Sequence, residues 1–219
     1  MKLNIPVIIQ EKDSIDCGIA GILMILKYYK IKTSIAVLKK EIPTYEKIGT
    51  YMPQLGVYLM KHGFAAEIIT HNPHLFTKDF KNKSQKELKE YFTELCKVNK
   101  NSRFAVVSNY FREFLEQGGK ITVKIPDEKD IQSEIAQKRP LGAIITSNFL
   151  TEKKATFNFH FNVITGIDDK YIYINDPMWD HRGGKKKYEI KDYMYALHSS
   201  LYGDFDNGSL LKITKIKKR

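Results

Sequence analysis

Only two cysteines, Cys17 and Cys96, occur in 219 residues, far apart and without a Cys-x-x-Cys spacing. Neither a disulfide framework nor a zinc site is therefore encoded, and a reducing compartment fits. Long apolar runs are also missing. Nothing approaches the roughly 20 residues of a membrane span. The stretch Ile5 to Ile9 is too short for a signal-peptide core and runs straight into Gln10, Glu11 and Lys12. A cytoplasmic location is expected, with export by a route needing no cleaved signal left open. Repeats and low-complexity linkers are absent, so a single domain over residues 1–219 is expected, long enough to bury its own core. Acidic residues are in deficit, 25 against 36 basic ones, and the balance is +11. Of the basic residues 31 are Lys and five are Arg. Such a charge bears on association and solubility, not on fold or chemistry. With 42% apolar and 12% aromatic residues the chain is not a disordered polycation.

Helical spacing of Ile19, Ile22, Leu23, Ile25, Leu26 and Tyr29 predicts a core helix that starts after Asp16, a suitable N-cap. Cys17 and Gly18 then occupy its first turn. Further helices are expected over 34–41, from Pro53 to His62, over 84–97 with a Ser84/Glu87 capping box, over 110–117, and from Asp127 to Lys138. Strand patterns cover 64–70, 120–125, 141–146, 159–167 and 171–175. Helices first and strands last favour an α+β domain, its N-terminal helices packed on a C-terminal antiparallel sheet. The region from about 72 to 130 reads as a helical middle section.

A thiol in the first turn of a helix faces unpaired N–H groups and the positive end of the dipole, both of which favour thiolate. Cys17 is thus a candidate nucleophile. His160 opens one strand of HFNVITGIDDKYIYINDP and Asp176 closes the next. With an odd loop at 168–170, position 162 pairs with 176, and His160 and Asp176 share a face. A two-residue turn at Asp168 and Asp169 puts them on opposite faces. On the first register the carboxylate can hold one imidazole nitrogen while the other reaches the thiolate, the arrangement of a cysteine hydrolase. Upstream, the side-chain amide of Gln10 can join the Cys17 N–H in an oxyanion hole.

These residues carry a resemblance. QEKDSIDCGIAGILMILKYY, the Gly49–Thr50 loop, the Pro53 helix ending in HGF, HFNVITGIDDKYIYINDP and YEIKDYMYAL are together similar to papain-like cysteine peptidases related to the leader-processing domains of bacteriocin exporters. The resemblance implies a papain-like fold, with Cys17 as nucleophile, His160 as general base and then acid, Asp176 as the orienting carboxylate and Gln10 as oxyanion donor. Six residues separate Gln10 from Cys17, one more than is usual in the exporter domains. No transporter segments follow, so a free-standing enzyme is expected.

The function expected is a thiol hydrolase that cleaves a peptide or isopeptide bond through an acyl-enzyme. Acyl transfer, transglutaminase-like crosslinking or deamidation by the same residues, or a non-catalytic peptide- or acidic-surface-binding module, are the alternatives. A peptide or protein substrate of acidic character is the expected partner; the oligomeric state is open. No cofactor is expected. His71 and His74 flank Pro73 without further ligands, so no metal is expected either. Cys96 is assigned to the core. Lys185 to Lys187 read as a solvated turn, and KITKIKKR, lacking interleaved aromatics, as a solvated tail and not a specific nucleic-acid platform.

Overall fold

In the computed structural model of the chain, residues 1–46, 48–98, 102–152 and 158–216 are described. The elements run α1 (Cys17–Tyr28), α2 (Ile35–Glu41), α3 (Met52–Lys61), β1 (Phe64–Thr70), α4 (Gln85–Lys97), α5 (Arg103–Glu116), β2 (Lys120–Val123), α6 (Glu128–Ala136), β3 (Leu141–Thr146), α7 (Asn148–Thr151), β4 (Phe159–Ile167), β5 (Tyr171–Asp176), β6 (Gly184–Glu189), α8 (Ile190–Ser199) and β7 (Leu210–Lys215). The seven strands form one sheet in the order β2-β1-β7-β3-β4-β5-β6, antiparallel except for the β1–β2 pair.

Period-2 alternation gives the sheet two apolar faces. Ile68, Phe161, Val163, Leu211 and Ile213 pack with α1, α3 and α5 on one side. On the other side Leu141, Ile145, Ile164 and Ile174 meet Ile131 of α6 and Tyr193 and Leu197 of α8. Helices thus cover both faces, and β1, from the first half of the chain, joins the strands of the second. The order of elements along the chain does not show this, because β1 finds its neighbours β2 and β7 far away in sequence. Between 72 and 130 the strand expected over 120–125 is β2, which pairs with β1, and α4 packs along α5.

Four other expectations change. The lysine-rich C-terminal run is not a solvated tail as far as residue 216: its first half is β7, between β1 and β3 in the sheet. Leu211 and Ile213 supply one core face, and Lys212 is neutralised by Glu67 at 3.3 Å and Glu134 at 3.1 Å. Residues 217–219 lie outside the described residues. Lys185 to Lys187 belong not to a turn but to edge strand β6, paired with β5 from Tyr171↔Glu189 to Asp176↔Gly184. Helix α5 begins at Arg103, well before Tyr110, because Ser102 accepts the Ala105 N–H at 3.2 Å and Ala105 and Val107 extend the buried face. Cys96 is only half-buried, its Sγ 3.9 Å from the Ala105 carbonyl oxygen.

Helix α1 lies directly on β4. Gly21 makes this approach possible, since a Cβ there would collide with the Phe161 ring, and Gly142 of β3 bounds the same ring from another side. Phe161 therefore sits in a slot made by two glycines, one residue from His160. Gly21→Ala should cost about 1–3 kcal/mol through overpacking, read as a lower urea midpoint at unchanged m-value; an unchanged midpoint would mean that the α1–β4 contact has slack.

Candidate active site

Asp16 occupies the N-cap position of α1 without capping it by its side chain. Its buried carboxylate instead accepts a hydrogen bond from Lys39 Nζ at 2.7 Å. The expected cap is therefore diverted, and the Asp16 side chain takes none of the first-turn N–H groups of α1. Cys17, the first residue of the helix, lies where those groups and the helix dipole favour an anion.

His160 and Asp176 do share a face, by a different route from the odd loop. The β4–β5 hairpin starts with Ile167↔Ile172, which on its own would leave the two side chains on opposite faces. A bulge between Ile164 and Gly166 shifts the register to Ile164↔Ile174 and Val163↔Asn175. Continued one pair further, this sets position 162 against Asp176. The extra residue is Thr165, whose carbonyl accepts the Leu3 N–H at 2.7 Å. Such bulges re-aim side chains next to functional sites. The sequence signal for it was slight, a threonine before Gly166.

His160 Nε2 and Asp176 Oδ1 are 2.7 Å apart, with both side chains 3% exposed. The same oxygen accepts the Met178 N–H at 2.8 Å. With Nε2 committed to the carboxylate, Nδ1 is the nitrogen left for Cys17, whose thiol interacts with the ring. Burial disfavours charge on His160, but the Asp176 carboxylate and the Cys17 sulfur outweigh it and raise its pKa to about 10. Burial likewise pushes the Cys17 thiol up. The hydrogen bond and charge of His160, with the N–H groups of Phe161 and Gly18, win and bring it below the ordinary thiol value. Both shifts run the same way, towards a proton on the imidazole and a thiolate on Cys17.

Gln10 is buried at the same end of the hairpin. Its N–H donates to the Pro177 carbonyl at 2.7 Å and its Nε2 to the Ser14 carbonyl at 2.6 Å. One hydrogen of the side-chain amide remains beyond the one that Ser14 takes. Asn175 anchors the approaching segment by donating Nδ2 to the Ile5 carbonyl at 2.9 Å. A pocket of about 230 Å³ opens beside the thiol, with Cys17, His160, Thr50, Tyr51, Asp206 and Asn207 among its walls. Burial raises the Asp206 carboxyl to about 7, even though its Oδ2 accepts the Met52 N–H, the first of α3, at 2.6 Å.

The family pattern that matches residues 2–199 is that of the Peptidase_C39 like family. The chain belongs to that family. It is accordingly a cysteine peptidase, a hydrolase. No curated protein matches it. Among solved structures, a putative C39-like peptidase from Bacillus anthracis is 15% identical, with a TM-score of 0.54 over 100% of both chains. A double glycine motif protease from an AMS/PCAT transporter, in complex with the leader peptide, is 18% identical, with a TM-score of 0.50 over 98% of this chain and 94% of that one. These likenesses establish the papain-like α+β fold.

In this C39-like peptidase the other candidates stand apart from the pocket. His71 Nε2 lies 3.4 Å from the Thr77 carbonyl oxygen and His74 Nε2 3.3 Å from that of Tyr202. Among the described residues no group of three His, Cys, Asp or Glu is placed to hold a metal, and no helix is long and apolar enough to cross a membrane. The residues overlooked in the sequence are Asp204, Asp206 and Asn207. They lie between α8 and β7 in a stretch whose only outward signal is the turn-forming character of Asp-Phe-Asp-Asn-Gly.

The two thiols differ in reactivity as a consequence. Cys96 is raised by burial whereas Cys17 is lowered. Iodoacetamide should therefore modify Cys17 selectively and keep doing so below neutral pH, until acid protonates the thiolate. Cys96 should react only as the pH rises above its ordinary range. Peptide mapping of the alkylated protein checks this; equal, slow modification of both would contradict the ion pair.

Proposed function

We propose that the chain is a single-domain peptidase in which Cys17, His160, Asp176 and Gln10 cleave a peptide bond through an acyl-enzyme. The observation that carries this reading is the buried 2.7 Å contact of His160 with Asp176 beside a thiol held below its ordinary pKa. The Cys17 thiolate attacks the carbonyl carbon, and the oxyanion that forms is met by the Cys17 N–H and the free amide hydrogen of Gln10. His160 gives its Nδ1 proton to the leaving amine as the tetrahedral intermediate collapses. Asp176 holds the ring so that Nδ1 faces the reacting atoms and stabilises its positive charge. In the second half-reaction His160 takes a proton from water, which attacks the thioester and releases the acid.

The neighbour that was crystallised with a leader peptide supports a precursor peptide, cut at the end of its leader, as the substrate. The +11 balance favours an acidic one. Incubation of the protein with a peptide library, read by mass spectrometry, identifies the scissile bond. His160→Ala should lower kcat/KM by about 10²- to 10⁴-fold, the usual contribution of a positioned acid–base group. Cys17→Ala should abolish turnover, and hydrolysis in ¹⁸O-water should place one heavy oxygen in the new carboxylate. Cleavage that survives in Cys17→Ala, or products joined to an added amine in place of water, would overturn the assignment.

A further inference from the structure

Two residues that line the pocket beside Cys17 each carry a polar atom for which the described residues provide no partner, Asn207 Nδ2 and Thr50 Oγ1. Both atoms are buried, and Asn207 as a whole is only 3% exposed. An unpaired buried donor destabilises a fold, so native proteins keep few of them. Asn207 is moreover not loosely placed. Its N–H donates to the Asp204 carbonyl at 3.3 Å, its own carbonyl accepts from Asn72 Nδ2 at 3.3 Å, and the next residue, Gly208, donates to the Ile144 carbonyl at 3.2 Å. The backbone is fixed on both sides while the amide donor stays uncommitted.

Thr50 is placed by a different constraint. A Cβ on Gly18 would collide with its Oγ1, so the glycine after Cys17 is what lets this hydroxyl lie over the first turn of α1. The carboxylates of the same wall are already engaged. Asp204 pairs with Arg103 and Tyr51, and Asp206 accepts the first N–H of α3. The uncommitted groups are thus a neutral donor and a hydroxyl, which suit the carbonyl and N–H of a peptide unit better than a charged side chain.

We propose that Asn207 and Thr50 bind the main chain of an extended substrate next to Cys17, Asn207 donating to a peptide carbonyl and Thr50 pairing through its hydroxyl with the same strand of substrate. This rests on the peptidase reading above and adds the residues that position the substrate. It implies selection of an extended backbone, with side-chain preference left to the small volume of the pocket.

The test uses the whole protein and two reagents. Acetyl-Ala-Gly-Gly chloromethyl ketone offers a peptide backbone to the pocket, whereas iodoacetamide reports only the reactivity of the Cys17 thiolate. Asn207→Leu and Thr50→Val should each slow inactivation by the peptidyl reagent about 3- to 10-fold, the loss of one hydrogen bond. Alkylation of Cys17 by iodoacetamide should be unchanged, and Thr50→Ser should retain the wild-type rate with both. The melting temperature of Asn207→Leu should hold or rise, because an unpaired buried donor has been removed. Equal slowing by both reagents with a lower melting temperature would assign a structural role and overturn the proposal, as would an unchanged peptidyl rate. If iodoacetamide modifies wild-type Cys17 no faster than Cys96, the peptidase reading itself fails.

Discussion

The buried contact between His160 and Asp176 decides where the proton of the site resides, and the site's chemistry follows from that. A carboxylate with 3% exposure, bonded to an imidazole with 3% exposure, is stable only if the ring carries its charge or donates its hydrogen. The thiol of Cys17 shares the arrangement: the imidazolium favours thiolate, and the thiolate in turn raises the imidazole. Removing any one of the three therefore alters the protonation of the other two, as in any coupled titration.

The fold serves this contact through several local choices. The bulge at Thr165 turns His160 onto the face of Asp176, and the N-terminal segment secures the bulge by taking its carbonyl. Gly21 and Gly142 make room for Phe161, which sets the height of α1 above β4 and so the reach from Cys17 to His160. Lys39 draws the Asp16 carboxylate aside and leaves the helix terminus open to the sulfur. Gln10 is tied to Pro177, so the segment before α1 and the end of β5 are held together.

Much of this was legible in the sequence because it is local. The 3.6-residue spacing after Asp16, the capping box at Ser84, the buried-type apolar run of 141–146 and the strand pattern of 159–167 predict their elements nearly residue for residue. Cys17, His160, Asp176 and Gln10 were legible as residue types in a sensible order, and a pairing of 162 with 176 follows from a register that one-residue arithmetic allows. What the sequence did not disclose is non-local. No periodicity reveals that β7 inserts between β1 and β3, because lysines at 212 and 215 mimic a solvated tail until Glu67 and Glu134 are known to wait for Lys212. Nor does it reveal that Asp204 to Asn207 fold back beside the thiol. The lysines of β6 have a physical use in their own place: they charge a sheet edge that would otherwise invite pairing with another chain.

The central claim is that His160 stays protonated at neutral pH because of Asp176 and the Cys17 thiolate. A titration of the protein labelled with ¹⁵N-histidine, followed by nitrogen chemical shifts, tests it most directly. Both ring nitrogens of His160 should show imidazolium shifts through about pH 7 to 9, the ring should lose a single proton near 10, and Cys17→Ala should move that transition downward. A wild-type ring that titrates near 6.5, the ordinary histidine value, would contradict the ion pair.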